Sequence, residues 1–215
     1  MYKTFLAALV CLIYTSHCFG QEAWTLNTHQ DGIKVYTRSV ANSKFKAIRV
    51  ECEMDASLSQ LVAALLDVGT CTDWVYHTKS CRLLKQVSPS ELYYYSEVSV
   101  PWPAENRDFV AHVIFSQNPV TKAVIMDAPC VQGWVPVKKG TIRVEHSIGK
   151  WVITPAGRNH VKIEYELQTD PGGDTPAWLI NMFVAQGPLQ SFEKLRSEIQ
   201  KPAYKNARIS FIKDE

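Results

Sequence analysis

Two histidines and one arginine–aspartate pair are the side chains of this chain best set to do chemistry. His146 falls in the alternation Ile142, Val144, His146, Ile148, which puts an imidazole on the apolar face of a strand. His112 shares a face in the same way with Val110 and Ile114. An imidazole there needs a partner: a protein group, the commoner case, or a hydroxyl or carbonyl of a ligand held in a cavity. Arg107 and Asp108 are consecutive, so in a strand their side chains leave opposite faces and cannot pair with each other. Each is expected to tie down a neighbouring turn or strand, a structural role. Catalysis by the pair needs an adjacent base or electrophile, and the sequence offers none.

Other catalytic signatures are missing. There is no Gly-rich phosphate loop, no Gly-x-Ser-x-Gly elbow and no His-Glu-x-x-His. His29, His77, His112, His146 and His160 lack metal-ligand spacing, and no Cys-x-x-Cys pair exists. The expectation is therefore no catalytic residue, no metal and no cofactor. With 215 residues and 46% hydrophobic composition, the chain can bury one good core. Its formal charge is +2, with no long charge run, which argues against nucleic acid and against a strong electrostatic membrane anchor.

The elements that must position these residues follow from pattern. Lys3 precedes an apolar run, Phe5 to Tyr14, and a polar stretch ending in Gly20, the layout of a secretory signal peptide over residues 1–20. Its removal near Gly20 takes away Lys3 alone, leaving 22 basic and 21 acidic residues, a charge of +1, in a single domain over 21–215. Glu22 to Gln30 reads as a short helix with Trp24 and Leu26 packed inward, and Ile33 to Arg38 as a strand. Lys46 to Met54 puts Ile48, Val50, Cys52 and Met54 on one face. Asp55-Ala56-Ser57 starts a helix carrying Leu58, Leu61, Val62, Leu65 and Leu66, and Asp73-Trp74 opens a short helical segment toward Ser80.

A strand meander follows, with candidates at 92–100, 108–115, 123–127 (which holds Met126), 140–148, 150–153 and 160–167. In the last, Val161, Ile163, Tyr165 and Leu167 share a face. Pro101-Trp102-Pro103 rigidifies the entry to the second of these strands.

Asp170-Pro171-Gly172-Gly173-Asp174-Thr175-Pro176 ends the meander in a turn and starts a long terminal helix, from Trp178 to about Gln200. Its stripe is Trp178, Met182, Ala185, Leu189, Phe192, Leu195 and Ile199, with Leu179, Ile180, Phe183 and Val184 making the first turns apolar nearly all round. Such a segment is deeply buried or faces a second apolar environment. Gly187-Pro188 interrupts it, a place for a kink. A sheet closed by this helix builds a lidded apolar cavity.

Four cysteines remain after the leader: Cys52, Cys71, Cys81 and Cys130. Cys71 and Cys81 are close enough to bridge in an exported protein; the alternative is four small buried hydrophobes. No Asn-x-Ser/Thr site occurs, which favours a bacterial periplasm over a eukaryotic secretory route.

Together these blocks resemble the START family, the StAR-related lipid-transfer domains. The resemblance runs, in family order, through Trp24 and Asp31 to Tyr36, Asp73-Trp74, Pro101-Trp102-Pro103, Asn106-Arg107-Asp108-Phe109-Val110, Gly140-Thr141-Ile142-Arg143, and Asp170 to Asn181. It covers essentially the whole mature chain. It implies an α+β helix-grip (Bet v1-like) fold, a curved antiparallel sheet around the C-terminal helix with a tunnel for one lipid. The ligand-binding candidates are then Trp102, His112, Met126, His146, Trp178, Asn181, Met182 and Phe183, with Arg107, Asp108, Gly172 and Gly173 structural.

The chain departs from the family in two places. The acid/arginine pair of cholesterol-binding members aligns with Tyr94 and Val113, which removes support for cholesterol. Choline-binding members resemble one another in an arginine and an aromatic cage, for which Trp74, Trp102, Trp134 and Trp151 are the available tryptophans.

The function so implied is a non-enzymatic, monomeric carrier of a lipid or sterol-like molecule, with transient membrane contact and no nucleic-acid partner. One alternative is a cyclase/aromatase- or hydrolase-like enzyme with His146, His112 or Tyr94 as acid/base groups. Another is an exported interaction module whose cavity is a packed core.

Overall fold

Alternating apolar residues turn most of this chain into strands of one sheet. The computed structural model describes residues 23–176, 179–180, 183–184 and 186–214. The ten strands are β1 (Thr25–Gln30), β2 (Ile33–Arg38), β3 (Ala47–Met54), β4 (Thr78–Ser88), β5 (Glu91–Val98), β6 (Asn106–Gln117), β7 (Val124–Pro129), β8 (Thr141–Arg143), β9 (His146–Pro155) and β10 (Val161–Asp170). They lie in the order β1-β2-β3-β10-β9-β7-β6-β5-β4, every neighbouring pair antiparallel, with β8 beside β6 in parallel. The last strand thus seats against the third.

Register carries the apolar residues onto one face. Val50 pairs with Tyr165, Tyr165 with Trp151, Trp151 with Met126, and Met126 with Phe115. Two helices press on that face. In α1 (Leu58–Leu66), Ser57 Oγ accepts from Gln60 N at 3.1 Å and caps the start. In α3 (Gly187–Glu198), Phe192 and Leu195 are buried, and Phe192 stacks on Trp151 at 5.1 Å. Two short helices, α2 (Cys71–Trp74) and α4 (Pro202–Lys205), lie outside this pair.

Several expectations need correction. Residues 25–30 form β1 and not a helix, because they pair with β2; Leu26 is left exposed, and Trp24 carries Arg38 and Arg49 on its ring. β4 fills the start of the meander, where no separate strand was delimited, and takes in residues 78–80, expected as helical. It is an edge with three register shifts against β5, so its residues do not alternate cleanly between faces.

The candidate strand 140–148 is broken: β8 ends at Arg143, which is drawn in toward Asp108, and β9 restarts at His146. The terminal helix restarts at Gly187 after a turn at Gln186. Gly187 lets the helix approach Tyr76, since a Cβ there would stand 3.2 Å from the ring.

The chain past Gln200 is structural, not a frayed end. Tyr204 and Ile212 are buried, and Asp214 accepts from Ser59 N and Oγ at 2.7 and 2.8 Å, fixing the start of α1. The expected leader over residues 1–20 lies outside the described residues.

Candidate functional site

Helix α3 covers only part of the sheet's concave face, and the rest is a cavity of about 350 Å³. Its floor comes from alternate residues of the strands: Phe109, Ala111 and Val113 of β6, Met126 and Ala128 of β7, Gly149 and Trp151 of β9, Tyr165 and Leu167 of β10. One wall is the segment from Leu65 to Tyr76. There Cys71 is joined to Cys81 of β4 by a disulfide, Cα atoms 6.4 Å apart, which anchors α2 to the edge strand. The bridge that sequence spacing made plausible is therefore present, while Cys52 and Cys130 are free thiols.

The roof is the chain after the Gly-Gly turn. Leu179, Ile180, Phe183 and Val184 are helical and line the cavity, and Leu179 N and Ile180 N both donate to Pro176 O, at 3.0 and 3.3 Å. The turn itself needs its glycines: Gly172 and Gly173 have φ of +70° and +60°. A Cβ on Gly173 would lie 2.8 Å from Ile142 Cδ1. Asp170 Oδ1 accepts from Gly172 N at 2.9 Å, and Thr175 Oγ1 donates to Gly172 O at 2.8 Å.

Arg107 joins this turn to the sheet. Its guanidinium is buried and donates to the carbonyls of Pro171 (3.4 Å), Gly172 (3.5 Å) and Glu105, and to Thr175 Oγ1 (3.4 Å). These partners are neutral, and burial lowers the Arg107 pKa from its ordinary value.

Asp108 points to the opposite face, fully buried under the excursion that follows β7. It accepts from Arg143 Nε at 2.6 Å, from Arg143 Nη2 at 3.1 Å and from Tyr95 Oη at 3.0 Å. Arg143 in turn holds the carbonyls of Val135 and Pro136 at 3.0 and 3.3 Å. The hydrogen bond and charge of Asp108 raise the Arg143 pKa. Both residues of the pair thus tie neighbouring segments to β6 through their hydrogen bonds.

The ligand candidates divide sharply. Met126 and Phe183 line the cavity; Phe183 meets Tyr76 edge-on at 5.9 Å. Trp178, Asn181 and Met182 lie outside the described residues. Trp102, His112 and His146 do not line the cavity.

Trp102 is 91% exposed on the loop between β5 and β6, because the flanking prolines hold it off the ladder. His112 is on the outer face of β6, where its ring stacks on Tyr93 at 4.2 Å and Nε2 meets Glu91 Oε1 at 2.7 Å. Its apolar neighbours Val110 and Ile114 share that outer face. His146 is exposed, because the break after Arg143 puts two exposed residues, Glu145 and His146, in succession and ends the alternation. Of the four tryptophans considered for a cage, Trp74 and Trp151 reach the cavity; Trp102 and Trp134 do not.

Sequence reasoning weighed Tyr94 only as an acid/base group of an enzyme, and missed the rest of the cavity's polar equipment. Tyr94, Tyr165, Cys130 and Ser147 all line it. Burial raises the ionisation of both phenols far above the usual range, and pushes the Cys130 thiol up to about 11 against a hydrogen bond from Ser147. These groups stay protonated and neutral at physiological pH. The signal was available: Tyr165 shares the apolar face of the clearest strand, and Tyr94 is two residues from Leu92 on β5.

Comparison with known proteins bears on this geometry. The family model described as START domain matches residues 5–205. An uncharacterized protein of Pseudomonas aeruginosa is 35% identical over 84% of this chain and 88% of its own length. The phosphatidylcholine transfer protein of Bos taurus is 28% identical over 77% of this chain and 78% of its own. A crystal structure of a STAR-related lipid transfer protein from Xanthomonas axonopodis superposes with a TM-score of 0.76 and 30% identity, covering 84% of this chain and all of that one.

Proposed function

The chain belongs to the START domain family, and from that premise and the shape of its cavity we propose that it is a non-enzymatic carrier which shelters one lipid-like molecule. The observation that supports this most is the apolar cavity closed by a segment hung on a two-glycine turn. Binding energy comes from burying apolar ligand surface, roughly 25 cal/mol per Å² before ordering costs. The relatives named as phosphatidylcholine and lipid transfer proteins favour a lipid over other hydrophobic molecules.

The volume of about 350 Å³ is at the lower end for small-molecule cavities, which run to about 1,000 Å³. A larger lipid therefore has to push the roof outward, and the Gly172-Gly173 turn is where that motion is cheapest. A carrier role without chemistry fits the placement of the two histidines, which point away from the cavity.

Exchange needs brief membrane contact. We place Trp102 at that contact, since its loop is joined through the Glu105 carbonyl and Arg107 to the hinge. We also propose export of the chain, after cleavage near Gly20; the Cys71–Cys81 disulfide suits an oxidising compartment.

The test is transfer of a fluorescent phospholipid between donor and acceptor vesicles. The carrier reading expects transfer well above the protein-free rate, lost in Gly149→Phe, whose ring would occupy the cavity floor beside Tyr165. Transfer by the cavity-filled variant equal to that of the native protein would refute it.

A further inference from the structure

Among the described residues, three buried or partly buried phenols have an acceptor. Tyr95 Oη donates to Asp108 at 3.0 Å, Tyr204 Oη to Asp67 at 2.9 Å, and Tyr36 Oη to Glu51 at 3.2 Å. Tyr76, Tyr93, Tyr94 and Tyr165 have none among the described residues; of these, Tyr94 and Tyr165 line the cavity from the sheet, and Tyr76 from the segment after α2. Tyr94 and Tyr165 are both half-buried and their hydroxyls open onto the cavity, so a ligand that displaces water there must offer them an acceptor.

The sheet brings these two rings together from opposite walls. Tyr94 on β5 pairs with Ala111 of β6, and Ala111 bridges to Cys130. Tyr165 on β10 comes from the other side; a Cβ on Gly149 would stand 3.7 Å from its Cε2, so the ring lies across that glycine. Between them the floor is small: Ala111, Ala128 and Gly149 leave room for the rings to lean inward. Tyr94 and Cys130 both act on the ionisation of Tyr165, and Cys130 on that of Tyr94, so the three groups share one region of the cavity they line.

The chemistry of this region selects its ligand atom. Protonated phenols donate; their ring faces are already taken, Tyr94 by Phe109 at 5.9 Å, and Tyr165 by Trp151 at 4.7 Å and Phe192 at 5.7 Å. Of the described cations lining the cavity, Arg107 has its nitrogens engaged by the hinge carbonyls and Thr175, and Lys46 is exposed to solvent. The fitting partner is an uncharged oxygen acceptor buried within an otherwise apolar molecule.

We propose that Tyr94 and Tyr165 form a two-donor site for a carbonyl oxygen of the bound lipid, that of an acyl ester, and that this contact sets how deep the lipid sits. The site rests on the carrier reading but makes a separate demand: it discriminates the linkage of the chains and is indifferent to the headgroup.

The experiment loads the full-length mature protein from vesicles holding equal amounts of a diacyl phosphatidylcholine and its dialkyl ether analogue, then measures the two by mass spectrometry of the extract. The native protein is expected to hold the ester about tenfold over the ether, the gain of hydrogen bonds the ether cannot accept. The Tyr94→Phe/Tyr165→Phe variant, which keeps both rings in place, is expected to load as much total lipid at a ratio near one. A native ratio near one, or a preference that survives the double substitution, overturns the site while leaving the carrier reading intact. If neither lipid loads into either protein, the carrier reading and the site fall together.

Discussion

Arg107 and Asp108, neighbours on β6, leave opposite faces of the sheet and fasten two different segments. The first clamps the Gly-Gly turn that carries the roof; the second clamps Arg143 and, through it, the loop that covers the outer face. Strand geometry alone dictates the split. One dipeptide therefore couples the cavity's hinge to the outer layer without the two side chains touching.

The Asp108–Arg143 pair is buried, with side chains 0% and 6% exposed. Replacing Arg143 by Met leaves an unpaired carboxylate there and is expected to cost about 3–5 kcal/mol. Urea unfolding followed by tryptophan fluorescence measures this. A loss under about 1 kcal/mol would show that the pair is dispensable.

Arg107→Met should act differently. Its lost hydrogen bonds run to neutral acceptors, and all but the one to the Glu105 carbonyl are 3.4–3.5 Å long, so the expected cost is about 1–2 kcal/mol. The larger effect should be local, with faster amide exchange over 171–176 and faster lipid transfer. Unchanged exchange in that turn would remove Arg107 from the hinge.

Gly173→Ala must hold a side chain at φ +60° and 2.8 Å from Ile142 Cδ1. About 1–2 kcal/mol is expected from the backbone alone, with more from the overlap. Pairing it with Ile142→Val removes the clashing methyl and should recover part of the loss. No recovery in thermal melts would mean that backbone strain accounts for all of it.

Acid stability should depend on Glu97. Lys79, Lys138 and Asn106 hold its carboxyl down to about 2 from an ordinary 4.5. A depressed carboxylate stabilises fully above its unfolded value, and the contribution fades as pH falls from 4.5 and is gone below about 2. Because Lys79 and Lys138 are about half exposed, solvent screening limits the effect to about 1–2 kcal/mol. Glu97→Gln should flatten the stability–pH curve across that window; an unaltered curve would count against the network.

Much of this architecture is legible in the sequence where one periodicity dominates. The alternations of β3 and β10 gave their strands directly, because a one-residue slip would expose every apolar side chain, and the three-and-four spacing of leucines gave α1. β4 was not legible, since an edge strand with bulges has no single inward face. The histidines misled for a related reason. Alternation tells which residues share a face but not which face looks at the cavity, and both faces of β6 are largely buried. The loop of 131–144 covers the outer one, and nothing in the local pattern announces that. Tyr94 stood out only as an acid/base candidate, and Tyr165 resembled an ordinary core aromatic until the cavity showed both hydroxyls unmatched.

The central claim is that the cavity holds a lipid, and the most direct measurement is organic-solvent extraction of the purified protein followed by mass spectrometry. The account predicts a co-purifying lipid at close to one molecule per chain, absent from Gly149→Phe. Protein that is consistently empty, and that also takes up no fluorescent lipid or sterol, would contradict it.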